Sequence, residues 1–318
     1  MSLFAATGDG VARLDLDGDA CIVAASLAGS GVQCVARAER TLYAGSRGQG
    51  LFRSEDEGGT WERLGFPQPD VFSVAVSPAD GAVYAGCEPS MLFVSRDAGE
   101  SWEELEALRA IPSAPTWSFP PRPWTSHVRW IAPSPHDAGL LLAGIELGGV
   151  MRSEDGGATW SDHRPGAQLD CHALAWHPTA SGRAYEAAGG GAAWSDDGGA
   201  TWRPADAGRD RHYTWALAVD PEDPDRWWIS ASPGPFQAHG RRSAEAVLYR
   251  WEGDGPWAAV ADGLPQPLEA MPYALAVRDE TLYAGLADGQ VYASGDRGDS
   301  WRALELRGDP LPALLAFA

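Results

Sequence analysis

The 318 residues include 38 glycines, 24 prolines and 15 tryptophans, with 44% hydrophobic and 21% charged residues. This composition is globular, without the roughly 18 consecutive apolar residues that a membrane span needs. A formal net charge of −20 repels phosphate backbones and anionic lipid, so nucleic acid and membrane surfaces are poor partners.

In chain order, segments rich in β-branched and aromatic residues follow one another between Gly, Pro and Asp punctuation, with no helical period. SLFAATG, GVARLDLDG and ACIVAAS come first, as three strands. MSLFAATGDG has no basic, apolar leader, which sets the expectation of a cytoplasmic protein. Cys21, Cys34, Cys87 and Cys171 have no paired spacing and read as core hydrophobes of a reducing compartment. A four-strand phrase then repeats. One copy is VFSVAVSP, AVYAGC, MLFVSRD and SWEEL, strands a to d. Strand a returns as WIAPSP, ALAWHP, ALAVDP and ALAVRD, and strand b as TLYAGS, LLLAGI and TLYAGL. LLAFA, at the C-terminus, is one more strand a.

Between strands c and d lies the clearest repeat. SEDEGGTW (Ser54 to Trp61) recurs as SRDAGESW (Ser95 to Trp102), SEDGGATW (Ser153 to Trp160), SDDGGATW (Ser195 to Trp202) and SGDRGDSW (Ser294 to Trp301). A worn copy, RWEGDGPW, ends at Trp257. A Gly-rich turn whose Asp accepts backbone N–H bonds makes a compact hairpin, so these carboxylates read as fold-making, not catalytic. The box tryptophans recur every ~40–60 residues, which makes six blades, and the terminal strands supply a seventh. The expected fold is all-β: a seven-bladed β-propeller of four-stranded antiparallel blades, one domain over 1–318, closed by a blade shared between the N- and C-termini.

The c–d boxes mark one face of the ring; b–c and d–a loops share the other, the top. Both long insertions belong to that top face: 106–126 in a d–a loop and 232–246 in a b–c loop. Their Trp117, Phe119, Trp124 and Phe236 read as lids over the channel mouth or as plain loop decoration. Aligning the strand a segments brings Gln33, Phe72, Arg129, His172, Trp215 and Tyr273 to one ring position. Asp70, His127, Asp170 and Tyr213 fall two residues earlier, and Arg47, Glu88, Glu146 and Ser232 end the strand b segments. So polar a set implies a pocket.

His127, His172, His212 and His239 cluster on this face with Glu146. His127, His172, His212 and Glu146 are candidate ligands for a divalent metal, though no HxH or HExxH spacing supports one. Without metal, Glu146 and His172 are the acid/base candidates. Arg47, His127, Arg129, Asp170, His212, Tyr213, Trp215, His239 and Tyr273 are candidate substrate binders. Arg47 and Arg129 could clamp a carboxylate or neutralise Glu88 and Glu146. Asp170 could orient His172 or cap a turn, and Trp215 and Tyr273 could stack on a ligand or close the core. His136 and His177 fall toward the bottom, and His163 in a strand d.

The consensus SxDxGxTW resembles the Asp box, or BNR repeat, of sialidases and other glycoside hydrolases, and the resemblance covers essentially the whole chain. It implies a propeller. Sialidases carry an arginine triad, the first in an FRIP-like motif; the nearest string here is RAIP (Arg109 to Pro112), out of place, and no second or third arginine matches. Two functions follow. One is an enzyme of hydrolase or lyase type acting on a small-molecule or carbohydrate ligand, with or without metal. The other is a non-catalytic scaffold similar to Asp-box photosystem II assembly factors or sortilin-type propellers.

Overall fold

Five box turns fold in the same way. In the first, Asp56 Oδ1 accepts the Thr60 N–H at 2.8 Å and Oδ2 accepts the Thr60 hydroxyl at 2.8 Å. Ser54 Oγ accepts the Gly58 N–H at 2.8 Å. Asp97, Asp155, Asp197 and Asp296 repeat the backbone bond at 2.8–2.9 Å. These hydrogen bonds stabilise the ionised carboxylate, and Asp56 and Asp97 are held down at about 2. The glycine is required at a φ near +90°, as at Gly157 (φ +95°), where an added Cβ would also run into Leu105.

The structure, a computed structural model, describes residues 2–119, 125–240, 242–253 and 255–318. Seven small sheets form a seven-bladed β-propeller whose strand a segments pack against one another around the axis. Counting the terminal blade as blade 1, strand a of blades 2 to 7 is Val32–Ala38, Val71–Val76, Val128–Pro133, Cys171–Trp176, Tyr213–Val219 and Pro272–Arg278. Blade 1 closes as expected. Ala316–Phe317 pairs antiparallel with Ser2–Ala6, which is followed outward by Val11–Asp17 and Ala20–Ser26.

Two blades depart from four strands. Blade 1 gains a fifth, Glu305–Gly308, parallel to Ala20–Ser26, because Leu304 and Leu306 pack with Cys21 and Val23. Blade 4 is three-stranded, its outer edge reduced to the bridge Arg152↔Ser161. There the Val150 N–H is taken at 3.2 Å by the His163 imidazole, so His163 lies outside any strand d. The cysteines are free and buried. Among the described residues no helix is long and apolar enough to cross a membrane.

Blades meet closely because strand b carries a glycine facing the next strand a. A Cβ on Gly86 would sit 2.6 Å from Val128 Cβ, and one on Gly45 2.6 Å from Val71 Cγ1. At the bottom, His136 Nε2 contacts the His177 carbonyl and His177 Nε2 the Asp220 carbonyl, each at 3.0 Å. These two histidines tie blades 4, 5 and 6 together.

The strand a segments also share an irregularity that positions the site. Blades 2, 3, 4, 5 and 7 each break register across one residue: Gln33, Phe72, Arg129, His172 and Tyr273. Blade 6 breaks between Thr214 and Leu217, around Trp215. A bulge re-aims its side chain out of the alternating pattern. The ring position read from the sequence is thus a ring of bulges.

Candidate functional site

A cavity of about 1040 Å³ follows the propeller axis. Of the bulge residues, Gln33, Phe72, Arg129, Trp215 and Tyr273 line it. Arg47, His127, Glu146, Asp170, Tyr213 and His239 line it too. At its far end the ends of two strand a segments supply Arg37 and Arg278. Neither is reached by aligning the upstream halves of the strand a segments, since both lie at the downstream ends.

Blades 3 and 4 build the first charged group. Glu146 ends strand b of blade 4, and its Oε2 lies 2.7 Å from His127 Nε2 and 3.8 Å from Arg129 Nε. Glu88 Oε2 stands 3.5 Å from His127 Nδ1. Burial works to raise the pKa of Glu146; the His127 hydrogen bond and the nearby positive charges outweigh it and hold the group at about 2. Glu146 is therefore a fixed carboxylate and not a proton donor at neutral pH. The His127 ring stacks on Phe72 at 4.0 Å, and Arg47 lies over the same Phe72 at 5.5 Å.

Blades 6 and 7 hold the opposite wall. Tyr273 donates its hydroxyl proton to the Ala238 carbonyl at 2.9 Å, so it accepts from His239 Nδ1 at 2.7 Å. His239 Nε2 then accepts from the Tyr213 hydroxyl at 2.9 Å. That assignment requires a neutral imidazole, and burial pushes the pKa of His239 down. Burial raises Tyr213, and raises Tyr273 to about 12, so both keep their protons. The network seats the second insertion, with its short helix Pro235–Ala238, against the ring.

Three expectations need correction. His172 does not line the cavity. Its ring packs on Trp215 at 4.3 Å and on Tyr213 at 4.9 Å, its Nδ1 is 2.6 Å from the Thr214 carbonyl, and its side chain is sealed from solvent. It faces the site from behind the wall: Asp170 Oδ2 is 3.5 Å from His172 Nε2, and a Glu146 oxygen lies within 4.8 Å of it. His212 is exposed and lies outside the cavity; neighbours alternate along a strand, and Tyr213 takes the inward direction. Of the lid aromatics, Phe119 and Phe236 line the cavity, whereas Trp117 is buried with Leu108, Ile111 and Ile145. Trp124 lies outside the described residues.

Glu186 is not among the residues that the ring alignment brings to the site. It sits in strand b of blade 5, fully buried, with Oε2 accepting the Gln168 N–H at 3.0 Å and Oε1 unpaired. Its pKa is pushed up to about 8 by burial. The string AYEAA, where four other blades read YAG or LAG, is the sign the sequence carries.

No family model matches the sequence, and no curated protein matches it. Solved structures do resemble it. The GH74 xyloglucanase from Xanthomonas campestris superposes with a TM-score of 0.68 at 18% identity, covering 99% of this chain and 52% of that one. An ancestral GH74 enzyme gives 0.67 at 17%, covering 86% and 38%. YCF48 bound to D1 peptide gives 0.58 at 17%, covering 86% and 81%. The likeness is one of fold. The chain spans about half the length of the GH74 structures, or less.

Proposed function

We propose that the channel mouth takes a carbohydrate-sized ligand and that the protein acts on it as a hydrolase. The observation that carries this reading is the convergence of Glu146, Asp170 and His172, with candidate reactive atoms within 4.8 Å of one another, beside a cavity of about 1040 Å³. Aromatic side chains at the mouth (Phe119, Tyr273, Phe236) offer faces for sugar rings, and Arg47 and Arg129 offer donors for hydroxyl or carboxylate groups. Glu146, held ionised, serves as a base or an anchoring charge. Asp170, partly open to the cavity, is the carboxyl group better placed to touch substrate. His172 packs behind Asp170, with Nε2 3.5 Å from its Oδ2.

The test is reducing-end release from xyloglucan oligosaccharides and a panel of aryl glycosides. Wild-type protein should release product, and a folded Glu146→Gln variant should not. No release and no binding across the panel would refute the reading.

One observation favours a second reading. The alignment to YCF48 covers most of both chains, whereas the GH74 structures extend well beyond this one. A peptide-binding scaffold would use the same mouth, and peptide binding that survives Glu146→Gln, with no turnover, would support it.

A further inference from the structure

His172 presents an unmet need. Its Nδ1 donates to the Thr214 carbonyl at 2.6 Å, which turns Nε2 toward Asp170 Oδ2, 3.5 Å away. The residue is 1% exposed, and Nε2 has no hydrogen-bond partner among the described residues. An orphaned buried nitrogen of this kind is characteristic of a position filled by a water or an ion. Across the gap stand the carboxylates of Asp170 and Glu146.

We propose that Glu146, Asp170 and His172 bind one divalent transition-metal cation of the zinc type. The His172 Nε2 to Asp170 Oδ2 distance is 3.5 Å, close to the edge of about 3.4 Å in a tetrahedron with bonds of about 2.1 Å. Both buried ligands are held from behind, as metal ligands are. The Thr214 carbonyl holds the His172 ring through Nδ1, and His127 Nε2 lies 2.7 Å from Glu146 Oε2. Arg129 pairs with Glu146 only at 3.8 Å through Nε, which makes no hydrogen bond among the described residues, and its guanidinium lies over the Trp215 ring. One imidazole nitrogen and two carboxylate oxygens suit Zn²⁺, with Mn²⁺ as the oxygen-preferring competitor. Glu146 and Asp170 line the cavity, so the fourth position opens to ligand. This set replaces His127 and His212 of the sequence-based expectation with Asp170.

The inference deepens the hydrolase reading, because an ion here would lower the pKa of a bound water, but its test needs no turnover. EDTA-treated, dialysed protein is titrated with zinc and with manganese by calorimetry, alongside metal analysis. Wild type and His212→Ala should bind one zinc per chain. His172→Ala and Asp170→Asn should lose it, and His127→Ala should bind roughly 10–100-fold more weakly. Thermal melts establish folding. If His172→Ala fails to fold, the partly exposed Asp170 position carries the test. Folded wild type that binds neither ion at millimolar concentration overturns the proposal. So does affinity unchanged in Asp170→Asn. One bound zinc without hydrolysis of any glycan supports the metal site and refutes only the hydrolase reading.

Discussion

Glu186→Gln should stabilise the protein at neutral pH. The folded-state pKa of Glu186, about 8 against 4.5 for an ordinary glutamate, means that the fold favours the protonated acid. As pH rises above about 4.5 the unfolded chain ionises while the folded chain does not, so stability falls until about pH 8 and is flat beyond. At ~1.4 kcal/mol per pKa unit, the loss reaches about 3 kcal/mol at pH 7 and about 5 kcal/mol above pH 9. Glutamine mimics the protonated acid and accepts the Gln168 N–H with its carbonyl. The variant should therefore match wild type near pH 4 and exceed it by up to about 3 kcal/mol at pH 7. Urea unfolding from pH 4 to pH 9 measures both curves. Parallel curves would refute the reasoning, because they would mean that Glu186 carries no raised pKa in the fold.

Gly86→Ala should cost ~1–3 kcal/mol by overpacking against Val128, read as a lower Tm with an unchanged far-UV spectrum. Asp197→Ala removes three hydrogen bonds from the fourth box and should cost ~1–2 kcal/mol. With the Asp197 pKa lowered to about 2, the part of that difference owed to the ionised carboxylate is present at neutral pH and is lost as pH falls from about 4 through 2. Tyr213→Phe breaks one tie to His239, so hydrogen exchange should quicken over residues 232–246 while Tm barely moves.

The architecture was legible because its determinants are local. Each box sets one turn through an Asp four residues before its hydroxyl donor, and each strand b glycine records the approach of the next blade. Even the terminal closure could be read from LLAFA and SLFAATG. The fifth strand was not legible, because ELRG has no pattern of its own and pairs only where Cys21 and Val23 offer an apolar edge. Blade 4 lost its outer strand to an imidazole acting as a backbone acceptor, which no propensity records. In the site, ring alignment found Arg129, Trp215 and Tyr273 because a bulge recurs at that position. The same alignment could not say that His172 turns behind Trp215, or that His212 turns away. Those directions depend on packing between blades. Glu186 showed itself only as a misfit in a repeated string, and its chemistry comes from complete burial.

The most direct test of the account is a crystal structure grown with xyloglucan oligosaccharide and zinc. The account predicts sugar density in the channel mouth against Tyr273 and Phe236, within reach of Asp170, and an ion at His172 Nε2. An empty channel, with ligand seated on an outer blade face, would contradict it.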